Sequence, residues 1–355
     1  MNLDGKSKGL EIDGMFLVRI LGLRPLETTN VDLINELNTS ELRKLYWYAK
    51  INKIGFTYLK ALEKANVLKK YPELESELKR HEEVYKKHIE SIKIIDEDLT
   101  ELGIEHVFIK TVYGFPVLPS DIDVLIRDRL SKELMYDLRK KGYIPFDQGP
   151  HFVSVYNTHV DPLIPRDKRS YDIDIYDEIS LSYIVYLSKE YCFDGTLLNN
   201  LIKIPPPEYE LLIQVNHSIF EHLYTLLHFY TFLRLLNIID ISKLMKLTKI
   251  TRSETALSYA TAIALGIINK SGLNVKRELL ETLRYYANRV GKEILYVDEL
   301  PYRFSVTQIL HVLFEKAKNQ QYRHSILNFA LHMFHPKQAH HAVEQISIRR
   351  RRSSY

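Results

Sequence analysis

A chain of 355 residues, 45% hydrophobic and 26% charged, has the composition of a globular protein and enough length for two or three domains. Its single cysteine, Cys192, excludes a disulfide framework and a cysteine-based zinc site, and suits a reducing, cytoplasmic setting. A net charge of +4 is too small to single out nucleic acid as a partner, and no apolar run reads as a signal peptide or membrane span.

Taken in order, the chain opens with a stretch of weak pattern, in which Asn30 caps a short helix over residues 31–37. From Ser40 the apolar residues Leu42, Leu45, Tyr46, Tyr48 and Ala49 recur at helical spacing. Residues 71–102 read as one long helix, with Leu74, Leu78, Val84, Ile92, Ile95, Leu99 and Leu102 three or four apart and Gly103 as its stop. Nothing in the first hundred residues reads as a strand.

The period then changes to two. Residues 106–112 and 121–126 read as strands, and 132–141 as a helix closed by Gly142. Residues 151–156 and 171–176 alternate like a hairpin pair, across a polar connection that carries Arg166, Lys168 and Arg169. From Pro205-Pro206-Pro207-Glu208 the chain is helical again, since proline suits a first turn and an acidic residue its positive end. Residues 211–236 are apolar nearly all round, which marks the buried centre of a bundle. Ser253, Gly272, Gly291 and Pro301 punctuate the later helices, the last of which runs to about His335-Pro336.

The expected architecture is therefore α+β. A small mixed-sheet core over 104–200 is flanked by an N-terminal helical region (1–103) and a C-terminal helical domain (201–340). A basic tail (341–355) follows, reading as flexible and holding the run Arg349 to Arg352.

One stretch carries chemistry: Ser120-Asp121-Ile122-Asp123-Val124-Leu125. Alternation puts Asp121 and Asp123 on one face of the strand and Ile122, Val124 and Ile126 on the other. Two carboxylates side by side at the start of a buried strand repel each other, and a divalent cation such as Mg²⁺ or Mn²⁺ relieves that repulsion with hard oxygen ligands. A third carboxylate on a neighbouring strand comes from Asp172 or Asp174. Asp174 is preferred, because Ile173 and Ile175 flank it as in a buried strand. Lys110 suits the balancing of phosphate charge, or is an exposed strand-end lysine. Thr111 and Ser120 offer hydroxyls nearby, although a β-branched strand residue needs no ligand to explain it.

These features resemble the polymerase-β-like nucleotidyltransferase superfamily, and within it the uncharacterised family of minimal nucleotidyltransferases. The likeness spans about residues 75–245. A long helix and Gly103-Ile104 lead into Phe108-Ile109-Lys110-Thr111, where that family has a strand ending in Leu-Lys-Gly. Then come the paired aspartates. Ile173-Asp174-Ile175-Tyr176 stands where the family has an apolar-Asp-apolar-His strand, followed by a Pro-Glu-Leu-Leu helix with a histidine beyond it, here Pro207-Glu208 to Leu211-Leu212 and His217. The resemblance implies an Mg²⁺- or Mn²⁺-dependent nucleotidyltransferase that takes an NTP such as ATP and transfers its nucleoside monophosphate to a hydroxyl of RNA, a protein or a small molecule. It implies Asp121, Asp123 and Asp174 (or Asp172) as metal ligands and catalytic groups, with Lys110, Thr111 and Ser120 toward the nucleotide. Lys110-Thr111 stand where the superfamily has Gly-Ser, and Tyr176 replaces a histidine. Those departures motivate the alternative of an inactive binding protein on the same fold.

Other side chains have plainer readings. His217, Glu221 and His222 on neighbouring turns read as helix-packing groups rather than a metal site. His332, His335, His340 and His341 read as a solvated C-terminal segment, and the aromatic residues over 220–232 as core. A glycosyltransferase also binds metal through Asp-x-Asp, but needs a β/α unit before the motif where this chain has helices.

Overall fold

The computed structural model describes residues 13–111, 113–157, 172–181, 184–199, 202–288 and 297–333. The basic tail, the connection with Arg166, Lys168 and Arg169, Gly291, the His332 side chain and His335, His340 and His341 lie outside them. The chain is mixed α+β, with one five-stranded mixed sheet and helices before and after it.

Five helices come first: α1 (Gly14–Leu21), α2 (Val31–Asn35), α3 (Thr39–Ile51), α4 (Gly55–Lys64) and α5 (Pro72–Glu101). Their starts follow from local chemistry. Asn30 caps α2 through the Leu33 N–H, and Asn38 and Glu41 form a reciprocal capping box on α3. Proline opens α5, and Gly103 ends it with φ +71°, a conformation that costs glycine little. The long helix joins two cores. Its Leu74 and Leu78 pack with the N-terminal helices, while Ile92, Ile95 and Leu99 pack beneath the sheet.

The sheet holds β1 (His106–Ile109), β2 (Asp121–Ile126), β3 (Tyr143–Gln148), β4 (Phe152–Asn157) and β5 (Asp172–Tyr176), with α6 (Lys132–Lys140) between β2 and β3. The strand order is β1-β2-β5-β4-β3, and β2 and β5 run parallel while the other neighbours are antiparallel. The expected pairing of β4 with β5 is present. β1 is shorter than the sequence suggested, ending at Ile109 because Lys110 turns into the left-handed region (φ +53°). β3 was not anticipated. Pro145 masks it, and it is tolerated because β3 is the sheet edge and a register shift falls between Pro145 and Asp147.

Small ribbons and helices follow: β6 (Ile179–Leu181), β7 (Ile184–Leu187), α7 (Glu190–Phe193), β8 (Leu197–Asn199) and β9 (Ile202–Ile204). The apolar region 211–236 is buried as expected, but it is two helices, α8 (Pro207–Phe220) and α9 (Leu226–Leu236). His222 at φ +63° and β10 (Leu223–Tyr224) break it, and Thr225 caps α9. Then come α10 (Ile241–Ile250), α11 (Glu254–Ser271), α12 (Arg277–Ala287), β11 (Tyr302–Arg303), α13 (Val306–Ala317) and α14 (Gln320–Met333). Ser253 and Gly272 bound α11 as the sequence indicated.

The helices at the two ends of the chain share one core. Arg19 Nε donates to the Ser271 carbonyl at 3.0 Å, and Asn52 accepts from the Leu226 and Leu227 N–H groups at the start of α9. One sheet face, with Phe108, Ile122, Val124, Ile126, Ile173 and Ile175, packs on α5 and α6. The opposite face, with Val107, Ile109 and Leu125, joins the helical core. Among the described residues no helix is long and apolar enough to cross a membrane.

Candidate active site

Pleating decides where the aspartates go. Ile122, Val124 and Ile126 are buried against α5 and α6, so Asp121 and Asp123 share the other face with Leu125, turned toward the helices that follow the sheet. In the parallel register Asp121 faces Asp172 and Asp123 faces Asp174, which brings all four carboxylates to that face. Ser154 on β4 pairs with Asp174 and extends the polar row by one strand.

Each central carboxylate has a partner. Lys110 Nζ lies 2.8 Å from Asp123 Oδ1, with both side chains buried. The same ammonium stands 5.5 Å from the centre of the Tyr176 ring. Ser154 Oγ donates to Asp174 Oδ1, and the Tyr176 hydroxyl donates to Asp174 Oδ2 at 3.2 Å. Tyr176 thus serves Asp174 from two residues along the same strand.

The electrostatics follow from burial and crowding. Burial pushes the Asp123 carboxyl up to about 8; Lys110 opposes that, while Asp121 and Asp174 add to it. Burial and then Asp121 push Asp174 up to about 6, against the hydrogen bonds from Ser154 and Tyr176. Burial disfavours the Lys110 charge, but Asp123, Tyr186 and Asp121 together outweigh it and hold the ammonium above its usual range. Carboxylates raised by burial and by neighbouring negative charge favour an added positive charge.

The backbone at Lys110 is held in place. Glu210 on α8 accepts the Lys110 N–H at 3.0 Å and the Gln214 amide at 2.8 Å. Its side chain therefore supports a non-glycine residue in the left-handed region, a conformation that costs on the order of 1 kcal/mol. Further along α8, His217 Nε2 lies 3.2 Å from Glu221 Oε1, and Lys53 Nζ lies 3.9 Å from Glu221 Oε2. Burial and then the Lys110 charge hold the His217 pKa down. The Tyr186 hydroxyl, 3.5 Å from His217 Nδ1, is a neighbour of both Lys110 and Asp123.

Comparison with protein-family models, with curated proteins and with solved structures returns no match.

Among the described residues, no three His, Cys, Asp or Glu side chains converge closely enough to hold a metal ion as they stand. The reason is visible for two of them: Asp123 turns to Lys110, and Asp174 turns to Ser154 and Tyr176. The donor set still fits a hard divalent cation, because it consists of carboxylate oxygens on one sheet face, those of Asp123 and Asp174 with raised pKa values. Asp121, Asp123 and Asp174 are the groups that would hold it. Thr111 and Ser120 are less engaged with the row: the Thr111 hydroxyl donates to the Ile109 carbonyl at 2.8 Å, and Ser120 is exposed at the start of β2.

Sequence reasoning missed Glu210 and gave the His217–Glu221 pair a bland role. Glu210 carries a signal only as the second acidic residue of the first turn of α8, where the helix dipole already explains it. The four-residue spacing of His217 and Glu221 was visible, but their placement beside Lys110 depends on how α8 crosses the sheet.

Proposed function

We propose that this protein is a divalent-metal-dependent nucleotidyltransferase that moves a nucleoside monophosphate from an NTP to a hydroxyl acceptor. The observation that carries the reading is the row Asp121–Asp123 on β2 in parallel register with Asp174 on β5, on the sheet face turned toward α8. Such a row is what in-line phosphoryl transfer at an α-phosphate asks of a protein: fixed charge and position, with little covalent chemistry.

Mg²⁺ or Mn²⁺, when bound, supplies charge neutralisation and polarisation of the phosphate. Asp121 and Asp123 hold it, and Asp174 completes the ligand set. In the transfer the acceptor oxygen bonds to the α-phosphorus, the bond to the bridging oxygen breaks, and pyrophosphate leaves. Asp174 takes the acceptor proton as general base. Lys110, released from Asp123, faces the phosphate charge instead. RNA ends, protein side chains and small molecules are the acceptor classes that fit a free hydroxyl.

Titration calorimetry of ATP with Mg²⁺ on the wild type and on Asp121→Asn/Asp123→Asn tests the reading. Binding lost in the variant is expected, and equal heats in both would remove its support.

One observation favours a second reading, a binding protein without turnover on the same fold. The Lys110 ammonium already supplies a positive charge at Asp123. This reading expects no label to pass from α-labelled NTPs to any RNA or protein in an extract. A labelled product that Asp123→Asn abolishes would reject it.

A further inference from the structure

Helix α3 carries a side chain that its packing does not call for. Trp47, the only tryptophan in the chain, is 50% exposed, while Leu42, Leu45, Tyr46 and Ala49 make the buried side of the same helix. Arg43, Lys44 and Lys50 lie three or four positions from Trp47 and are exposed with it, so one face presents an indole among cations. Tyr48 meets the indole in a T-shaped contact, with centroids 5.0 Å apart, which steadies the ring. Arg43 is paired with Glu73 at 2.7 Å. Among the described residues no carboxylate lies within ion-pair distance of Lys44 or Lys50.

The C-terminal end of α3 leads to the carboxylate row. Asn52, next after the helix, accepts from the Leu226 and Leu227 N–H groups at 3.1 and 3.2 Å and so fixes that end against α9. Lys53 turns into the left-handed region (φ +60°) and stands by Glu221, which is paired with His217. The Tyr186 hydroxyl links His217 to the surroundings of Lys110 and Asp123. Lys44, Lys50 and Lys53 thus follow one another toward the site, and Lys44 and Ile51 are about 10 Å apart along the helix axis.

We propose that the exposed face of α3 is a track for single-stranded nucleic acid, which brings a 3′ end to the carboxylate row. Trp47 stacks on a base, and Lys44, Lys50 and Lys53 meet the phosphates. The proposal names the acceptor, and so rests on the nucleotidyltransferase reading for what happens at the 3′ hydroxyl. Binding along the track requires only the strand. An aromatic ring stacks on any base, and cations on either side of it take up the backbone charge. An acidic peptide would use the lysines and leave the indole without a partner. A double helix keeps its bases stacked inside, away from the ring. The net charge of +4 hides this face, because the lysines are concentrated locally.

Since Trp47 is the only tryptophan, its fluorescence reads the track directly. Oligouridine and oligodeoxythymidine of about ten nucleotides, titrated into the full chain without metal or nucleotide, are the probes. At least one should quench saturably, with an affinity that falls as salt rises. Lys44→Gln/Lys50→Gln should weaken that binding about tenfold, and so should Trp47→Ala, followed by anisotropy of a labelled strand. All three side chains are exposed. A strand ending in 4-thiouridine should crosslink through its 3′ end to the segment around Tyr186 or His217. No quenching by either strand at low salt, affinity unchanged in both variants, equal quenching by polyglutamate, or 3′ crosslinks confined to other segments each overturns the proposal. Calorimetry of ATP with Mg²⁺ reports on the carboxylate row separately. A chain that binds ATP but neither strand loses the track and keeps the nucleotidyltransferase reading.

Discussion

Lys110 Nζ, from the residue just past β1, and Asp123 Oδ1 on β2 stand 2.8 Å apart, both buried, in a sheet whose next strand carries Asp174. The ammonium partly offsets a local excess of negative charge, and removing it leaves Asp123 buried beside two other carboxylates. Lys110→Met is therefore expected to cost about 3 kcal/mol at pH 9.5, above the value of about 8 at which Asp123 titrates beside Lys110, as for breaking one side of a buried pair. At pH 6 the cost should shrink, because Asp123 holds its proton there with or without Lys110. Urea denaturation at the two pH values checks this, and Lys110→Met/Asp123→Asn should recover most of the loss. A double variant as unstable as the single one would show that packing, not charge, sets the cost.

Asp174 gives the pH dependence its sign. Its carboxyl titrates at about 6 in the folded protein, above the ordinary value of 3.8, so the folded state binds the proton more tightly. Its stability contribution is therefore complete below about pH 4 and declines as pH rises through 6. Asp174→Asn should flatten that part of the profile and stabilise the protein at pH 7.5, by at most about 2–3 kcal/mol. Denaturation midpoints from pH 4 to 8 measure both effects. Mg²⁺ at millimolar concentration should flatten the wild-type profile and leave that of Asp174→Asn nearly unchanged, since the cation favours the same charged form.

Period and punctuation made much of this fold legible. The alternation over 121–126 sets the face of Asp121 and Asp123, and the helical spacing over 71–102 with Gly103 sets α5. Pairing of β4 with β5 was legible because both alternate. Parallel pairing of β5 with β2, and hence the register that joins Asp174 to Asp123, is a non-local choice that no local pattern encodes. β3 stayed hidden because Pro145 opposes a strand everywhere but at an edge. Glu210 and His217 come to the site only because α8 lies against the end of β1, and their own sequence neighbourhood describes an ordinary helix.

Glu210 links helix and strand through the Lys110 N–H. Glu210→Ala leaves that donor and the Gln214 amide without their acceptor, and a loss of about 1–3 kcal/mol is expected. Glu210→Gln keeps an acceptor oxygen and removes a buried charge, so it should be much milder. Hydrogen exchange at the Lys110 amide separates the two: protection should survive in Glu210→Gln and fall in Glu210→Ala. Equal exchange in both would mean that the loop is held by its other contacts alone.

Lys316 is a further buried charge that the fold has to accommodate. Its ammonium donates to the Tyr186 carbonyl at 2.7 Å, to the Thr251 carbonyl at 2.8 Å and to Ser253 Oγ at 2.8 Å, and lies 5.1 Å from the centre of the Tyr322 ring. These contacts tie α13 to β7 and to the turn between α10 and α11. Burial holds its pKa well below 10.5, so the unfolded chain binds the proton more readily. Stability from this group is complete above about pH 10.5 and is lost as pH falls toward the folded value. Lys316→Met, similar in length, should abolish that slope. At pH 7 it removes the donor from two buried carbonyls and should cost about 2 kcal/mol, because the lost hydrogen bonds outweigh the relief of burying a charge. Urea midpoints at pH 7 and 9.5 decide the matter: wild type should gain on the variant as pH rises. A variant that is more stable at both would mean that the ammonium is a net burden and that the tie to β7 is made by apolar contact. Because the same carbonyl belongs to Tyr186, whose hydroxyl lies beside His217, loosening it should also weaken ATP binding in proportion to the displacement of that ring.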